Sequence, residues 1–295
     1  MTPSLLGSPL VESLAASATR GRLRVLAYHG VPDADRFDAQ VAHLVRRYRP
    51  VSGTQVAAAL HGGAPLPDRA VWVTFDDGRP DVVDTGLAVL RRHDVPATLF
   101  VCPGLMAEDR PMWPDVVEAA LRADTAPGDA PDRRLVTAMK TAPDPLRRSM
   151  VDRMAEELER RGIVVAPMVS AGSLRRWLDA GMEVGNHTWD HPCLDRCDAE
   201  AQADQIRRGH AALTELLGSP PTLFAYPNGD WTAAAEAVLR DLGYALALLF
   251  DHRVTSRRPD PLRISRLRID ADAPLSRARA ILGGTHSGLF HLLRR

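Results

Sequence analysis

Val71-Trp72-Val73-Thr74-Phe75-Asp76-Asp77-Gly78 is an apolar, β-branched run that stops on two adjacent carboxylates and a glycine. Residues 70–75 have the length and composition of a buried strand. Successive strand residues point to opposite faces, so Asp76 and Asp77 serve one site only where the chain turns. Gly78 permits that turn, because it lacks the Cβ that disfavours positive φ. Two like charges so close repel unless a cation or a proton relieves them. Taken alone, Asp-Asp-Gly reads as an ordinary turn with solvated carboxylates. Its company further along the chain changes that reading.

Outward from this strand the same rhythm repeats. Residues 23–28 form a short apolar strand, and helical patterns follow at 37–48 and 54–60. Beyond the aspartates come a helix at 84–92 and a strand at 97–101. The pattern then changes between 109 and 172: Pro and Asp cluster at 126–132, and 146–161 is a charged amphipathic helix, so this stretch reads as a helical insertion. Alternation resumes with helices at 173–180, 199–217 and 233–241 between strands at 182–186, 222–225 and 244–250, and 262–269 is again strand-like. Strands alternating with helices imply βα units and a parallel sheet. The expected fold is α/β, one barrel over residues 22–283 with the insertion at about 109–172, an N-terminal extension at 1–21 and a C-terminal tail at 284–295. In such a barrel the loops after the strands share one face. Tyr28-His29, Asp76-Asp77-Gly78, residues 187–191 and Pro227-Asn228-Gly229 all follow strands directly, so these distant clusters are expected to converge.

His187-Thr188-Trp189-Asp190-His191 supplies two imidazoles within one turn of chain. Two nitrogens and one carboxylate oxygen match a catalytic zinc site with a position left for water. Nickel, cobalt and iron accept the same donors. A rival arrangement is a closed structural zinc site that adds Cys193 and Cys197. Isolated histidines such as His43, His93 and His252 read as structural.

Lys plus Arg total 37 and Asp plus Glu total 37, so no global field draws the chain to nucleic acid or to an anionic membrane. A neutral glycan suits this balance. The longest apolar run, 244–250, falls far short of the ~18 residues of a membrane span. Pro9 and Glu12 interrupt the N-terminal apolar stretch, which has no basic leader, and a cytoplasmic protein is expected. Three cysteines do not suggest a disulfide framework.

Thr74-Phe75-Asp76-Asp77-Gly78, His187-Thr188-Trp189-Asp190-His191 and Phe224-Ala225-Tyr226-Pro227-Asn228-Gly229 resemble, in the same order, three motifs of the polysaccharide deacetylase (NodB-homology) family. The likeness runs from Leu23 to about Ile269. It implies a distorted (β/α) barrel that removes N-acetyl groups from an N-acetylglucosamine-containing polymer or a lipid-linked precursor of one. It also implies a divalent metal, most simply Zn2+, held by Asp77, His187 and His191, with Asp76 as general base and the backbone N–H of Asn228 as oxyanion donor. Two departures stand out, because Ala225 replaces the family's usual arginine and Asn228 its usual tyrosine. That arginine orients the base, and Arg266 is the candidate replacement. The family's C-terminal histidine has no good counterpart, since His286 lacks a preceding strand. His29 ends a strand, and histidine is the side chain best suited to serve as a proton donor near neutrality. The order is similar to that of biofilm poly-N-acetylglucosamine deacetylases, where an N-terminal strand supplies the acid. Trp113, Trp231 and Tyr226 are candidates for substrate contact through their aromatic faces. Two other readings stay open: a glycan-binding barrel whose site has decayed, and an amidohydrolase acting on a small cyclic amide.

Overall fold

A computed structural model describes residues 20–126, 129 and 134–285. His286, the extension up to residue 19 and the tail from residue 286 lie outside the described residues, as does most of the Pro- and Asp-rich stretch at 126–132. Within them, eight parallel strands form one sheet. These are β1 (Arg24–Tyr28), β2 (Arg49–Pro50), β3 (Ala70–Phe75), β4 (Ala97–Val101), β5 (Glu183–Asn186), β6 (Leu223–Ala225), β7 (Leu246–Leu248) and β8 (Leu267–Arg268). Their order is β7-β6-β5-β4-β3-β1-β8, and β2 pairs with β3. The sheet curls until one segment touches both edges: Ile264 bridges Leu248 of β7, while Leu267 pairs with Leu26 of β1. The result is a distorted (β/α) barrel.

The helices are α1 (Ala34–Arg47), α2 (Gly53–Leu60), α3 (Leu87–Arg92), α4 (Pro103–Ala107), α5 (Trp113–Ala123), α6 (Arg134–Met139), α7 (Asp144–Arg160), α8 (Ala171–Asp179), α9 (Ala199–Leu217), α10 (Ala233–Asp241) and α11 (Leu275–Gly283). Their starts follow capping chemistry. Ser52 and Gln55 close a reciprocal capping box on α2, and Asp33, Ser170, Asp198 and Thr232 cap α1, α8, α9 and α10. The helix expected at 84–92 begins earlier, as a π-helical turn at Val82–Gly86 that runs into α3. No helix among the described residues is long and apolar enough to cross a membrane.

The strand-like pattern at 262–269 yields only the bridge at Ile264 and the short β8. Side chains take the place of a neighbouring strand there: the Arg266 N–H donates to Asp251 Oδ1 at 3.2 Å and the Arg268 N–H to His252 Nδ1 at 3.0 Å.

Alternation along the strands divides the core in two and aims the site. Val25, Trp72, Phe100, Leu223, Leu246, Leu248 and Ile264 fill the barrel interior. Leu26, Val71, Val73, Phe75, Leu99 and Val101 face outward and pack with Phe37, Leu90 and Trp177 of the surrounding helices. The inward series on β3 is Ala70, Trp72, Thr74, and the next member is Asp76. By the same count β1 leads through Val25 and Ala27 to His29, β5 through Gly185 to His187, and the last segment through Ile264 to Arg266. The insertion helices α5, α6 and α7 bury a separate cluster that includes Trp113, Val116, Val117, Met139, Val151 and Leu158.

Candidate metal centre

Alternation alone sends Asp77 away from Asp76. The chain corrects this at Asp77 itself, whose φ of 74° lies in the left-handed region, and the Gly78 N–H donates to Asp76 O at 2.9 Å. That i to i+2 bond around a positive-φ residue is a γ-turn of the rare, strained hand. Gly78 follows at φ 82°. The turn needed to bring both carboxylates to one side therefore has its apex one residue before the glycine that permits it.

The second loop has the same character. Thr188 has φ 70° and His191 φ 60°, unusual for non-glycine residues and most of all for a β-branched one. Side chains stabilise the loop: Asn186 Oδ1 accepts from the Thr188 N–H at 2.8 Å, and Thr188 Oγ1 accepts from the His191 N–H at 3.1 Å. Asn228 and His252 at neighbouring strand ends also have positive φ, 56° and 58°. Backbone strain of this kind collects at functional sites, where surrounding structure over-determines it.

Asp77, His187 and His191 come together at the centre. His187 Nε2 lies 3.4 Å and His191 Nε2 3.5 Å from Asp77 Oδ1. These separations exceed a good N–H···O bond. They suit two donors sharing an ion, since ligands each about 2.0–2.1 Å from a tetrahedral zinc stand roughly 3.3–3.4 Å apart. Asp77 Oδ1 is buried and makes no hydrogen bond. His187 Nδ1 lies 2.7 Å from Ala225 O, and since a carbonyl only accepts, Nδ1 carries the proton and Nε2 presents its lone pair. The donor set and its spacing therefore fit a divalent metal. Cys193 and Cys197 do not join it: among the described residues only Asp77, His187 and His191 form such a group, and Cys197 Sγ donates instead to Cys193 O. The closed four-ligand site is corrected accordingly.

Electrostatics sharpen the picture. Burial opposes the charge on Asp77, but contact with His187 and the fields of His29 and His191 outweigh it and hold its carboxyl well below the usual range. Burial lowers His191 to about 3, which keeps that ring neutral as ligation requires. On His187 burial acts the same way, yet contact with Asp77 and the charge of Asp76 prevail and raise it.

Asp76 is 3% exposed and Arg266 is wholly buried. Their pairing is bidentate, Nη1 to Oδ1 and Nη2 to Oδ2, each at 2.7 Å. Burial disfavours the carboxylate, but the guanidinium more than offsets this and lowers its pKa. Arg266 is fixed in turn by Leu249 O at 2.6 Å and Thr74 Oγ1 at 3.2 Å. Its guanidinium thus reaches Asp76 from the last strand-like segment of the chain.

His29 lines a cavity of ≈ 220 Å³ with Phe250, His252 and Arg268, its ring edge-on to Phe250 at 5.2 Å. Asn228 sits on the turn after β6, its Nδ2 3.5 Å from Cys193 Sγ. The next residue has to be glycine: a Cβ on Gly229 would lie 2.5 Å from the Phe250 backbone nitrogen, at a φ of 82°.

The aromatic candidates fare differently. Tyr226 belongs to the outward series of β6, is fully buried and donates to Leu262 O at 3.1 Å, so its side chain is core. Trp113 is 7% exposed, and its indole N–H donates to His191 O at 3.2 Å; it supports the loop from behind and offers no platform. Trp231 is 39% exposed, with its N–H on Glu236 and the Arg263 guanidinium 5.0 Å from the ring centre. Two contributors escaped the sequence reading. Thr74 follows from the inward alternation that ends on Asp76, whereas Arg148, which pairs with Asp190 inside the second motif, carries no local signal.

The family model described as polysaccharide deacetylase matches residues 63–247. A chitin deacetylase of Pestalotiopsis sp is 38% identical over 64 residues, 22% of this chain and 22% of that one. A chitooligosaccharide deacetylase of Bradyrhizobium sp. is 25% identical over 206 residues, 68% of this chain and 58% of the relative. The chain thus matches at most 58% of the length of these two relatives. Among solved structures, IcaB from Ammonifex degensii superposes with a TM-score of 0.63 at 22% identity, covering 89% of this chain and 97% of that one. At that identity the likeness speaks for the fold.

Proposed function

The chain belongs to the polysaccharide deacetylase family, and on that footing we propose that it is a metal-dependent hydrolase removing N-acetyl groups from an N-acetylglucosamine-containing polysaccharide or its precursor. One observation carries this reading: Asp77 Oδ1 and the Nε2 atoms of His187 and His191 converge beside the buried Asp76–Arg266 pair. The curated relatives named as deacetylases of chitin and chitooligosaccharide point to the same substrate class.

Zinc is the expected ion, and when bound it supplies polarisation of the acetamide carbonyl and acidification of a water toward neutral pH. Asp76 accepts the proton of the attacking water as general base. Its low pKa makes it a weak base, so Arg266 serves chiefly to keep it ionised and aimed. The Asn228 N–H donates to the developing oxyanion, a role that needs the backbone of the third motif and not the tyrosine side chain it lacks. His29, at the inward end of β1, returns a proton to the departing amine. Trp231 supplies exposed aromatic surface to an adjacent sugar ring. Arg266 in place of the missing motif arginine favours an enzyme over a decayed binding barrel.

The test is acetate release from N-acetylglucosamine oligomers by protein loaded in turn with zinc, cobalt, nickel or iron. Release that a chelator stops and added metal restores is expected. Fully loaded, folded protein that frees no acetate from any oligomer length would sink the proposal.

A further inference from the structure

The insertion reaches both metal loops from outside the barrel. Arg79, two residues past Asp77, places Nη1 3.1 and 2.9 Å from the two carboxylate oxygens of Asp115 on α5. Trp113, also on α5, holds His191 O. From α7, Arg148 forms a forked pair with Asp190 inside the second loop, Nη1 to Oδ2 at 2.6 Å and Nη2 to Oδ1 at 2.8 Å. Arg148 is braced by its Nε on Asp144 Oδ2 at 2.6 Å. Asp144 also pairs with Arg147, whose guanidinium stands 5.1 Å from the Trp113 ring centre. The contacts therefore form one connected frame.

Why a metal ligand needs such a frame follows from a difference between the two imidazoles. His187 is oriented through its own ring, because Nδ1 is bonded to Ala225 O. His191 Nδ1 is buried and has no hydrogen-bond partner, so that ring is steered only by packing, chiefly its edge contact with His187 at 4.9 Å between ring centres. Its orientation otherwise falls to a backbone in strained, left-handed conformation at both Thr188 and His191. Asp190, immediately before His191, has a side chain only 14% exposed, which limits screening of its pair with Arg148.

We propose that Arg148 is a positioning residue of the metal centre: by fixing Asp190 it holds the His191 imidazole at ligating distance, which makes the insertion part of the metal site. This rests on the reading of Asp77, His187 and His191 as ligands. Groups that orient metal ligands typically cost about 10–100-fold in affinity when removed.

The test measures zinc affinity by competition with a chromophoric chelator, and records the visible spectrum of the cobalt-loaded protein, for wild type, Arg148→Gln, Asp190→Asn and the double variant. Each single variant is expected to bind zinc about 10–100-fold more weakly with an altered cobalt spectrum, and the double variant no worse than either. Arg160→Ala, which removes an exposed pair with Glu157 on the same helix, leaves both readouts unchanged. If Arg148→Gln fails to fold, Asp190→Asn alone decides. Unchanged affinity and spectrum in a folded single variant overturn the clamp, as do additive losses in the double. Wild type that takes up no zinc, or zinc uptake that survives His191→Ala, overturns the ligand reading itself and the clamp with it.

Discussion

Asp76 and Arg266 bury two full charges against each other, and the energetics of that pair fix what each variant should do. Removing one partner of a buried ion pair strands the other, at about 3–5 kcal/mol. Arg266→Ala should therefore lose roughly that much stability in urea unfolding of the metal-free protein. Arg266→Lys should recover only part, because an ammonium cannot make the two parallel bonds. Asp76→Asn keeps the shape and removes the proposed base, so turnover should fall about 10²–10⁴-fold while zinc content by mass spectrometry stays the same. Asp230 offers a separate pH test. Burial, reinforced by the charge of Asp195, raises it from 3.8 to about 6. For a raised carboxyl the folded state prefers the proton, so the stability it contributes is complete below 3.8 and is lost as pH climbs through about 6. Asp230→Asn should then stabilise the protein by on the order of 1 kcal/mol near pH 7.5, after allowance for screening, and by almost nothing near pH 3. An equal gain at both pH values in thermal unfolding would refute this origin. At this scale the candidate ligands were legible because they stand in short motifs. Tyr226 was misplaced although period-2 counting from Ala225 puts it on the outward face.

The strands and most helices announce themselves through periodicity, whereas the loops that finish the site do not. A turn at the aspartates was expected from Gly78, but left-handed φ falls on Asp77 and on β-branched Thr188, residues that rarely adopt it and so give no signal of it. The strand-like 262–269 misled for a related reason: Asp251 and His252 satisfy its backbone and cut the ladder short. Even so, inward alternation from Ile264 correctly aims Arg266 into the barrel. The second loop also leans on α4, where the Gly104 N–H donates to Trp189 O at 2.8 Å and a Cβ on Gly104 would lie 2.4 Å from the Trp189 ring. Gly104→Ala should push that ring outward and drag the loop with it. A drop in zinc affinity of about tenfold is expected from competition titration, comparable with other losses of ligand support. Affinity equal to wild type would show that the loop tolerates displacement at Trp189.

Arg266 compensates Asp76, but Asp77 Oδ1 makes no hydrogen bond beside two buried imidazoles, and ion binding there should stabilise the fold. An ion that binds only the folded state stabilises by RT ln(1 + [L]/Kd), about 2.7 kcal/mol at a hundredfold excess over Kd. Zinc should raise the unfolding midpoint of wild type and leave His187→Ala unmoved, as differential scanning fluorimetry can establish. Equal numbers of cationic and anionic side chains leave recognition to local surfaces, which suits an uncharged polymer. The architecture was readable from alternating βα pattern and motif order; the coupling of the insertion to the metal loops was not, because Arg148 and Asp190 lie 42 positions apart and meet only in three dimensions. The most direct trial of the whole scheme is anomalous diffraction at the zinc edge from zinc-loaded crystals. One strong peak bonded to Asp77 Oδ1, His187 Nε2 and His191 Nε2 is expected. Density for the ion anywhere else, with those three side chains left unbridged, would contradict it.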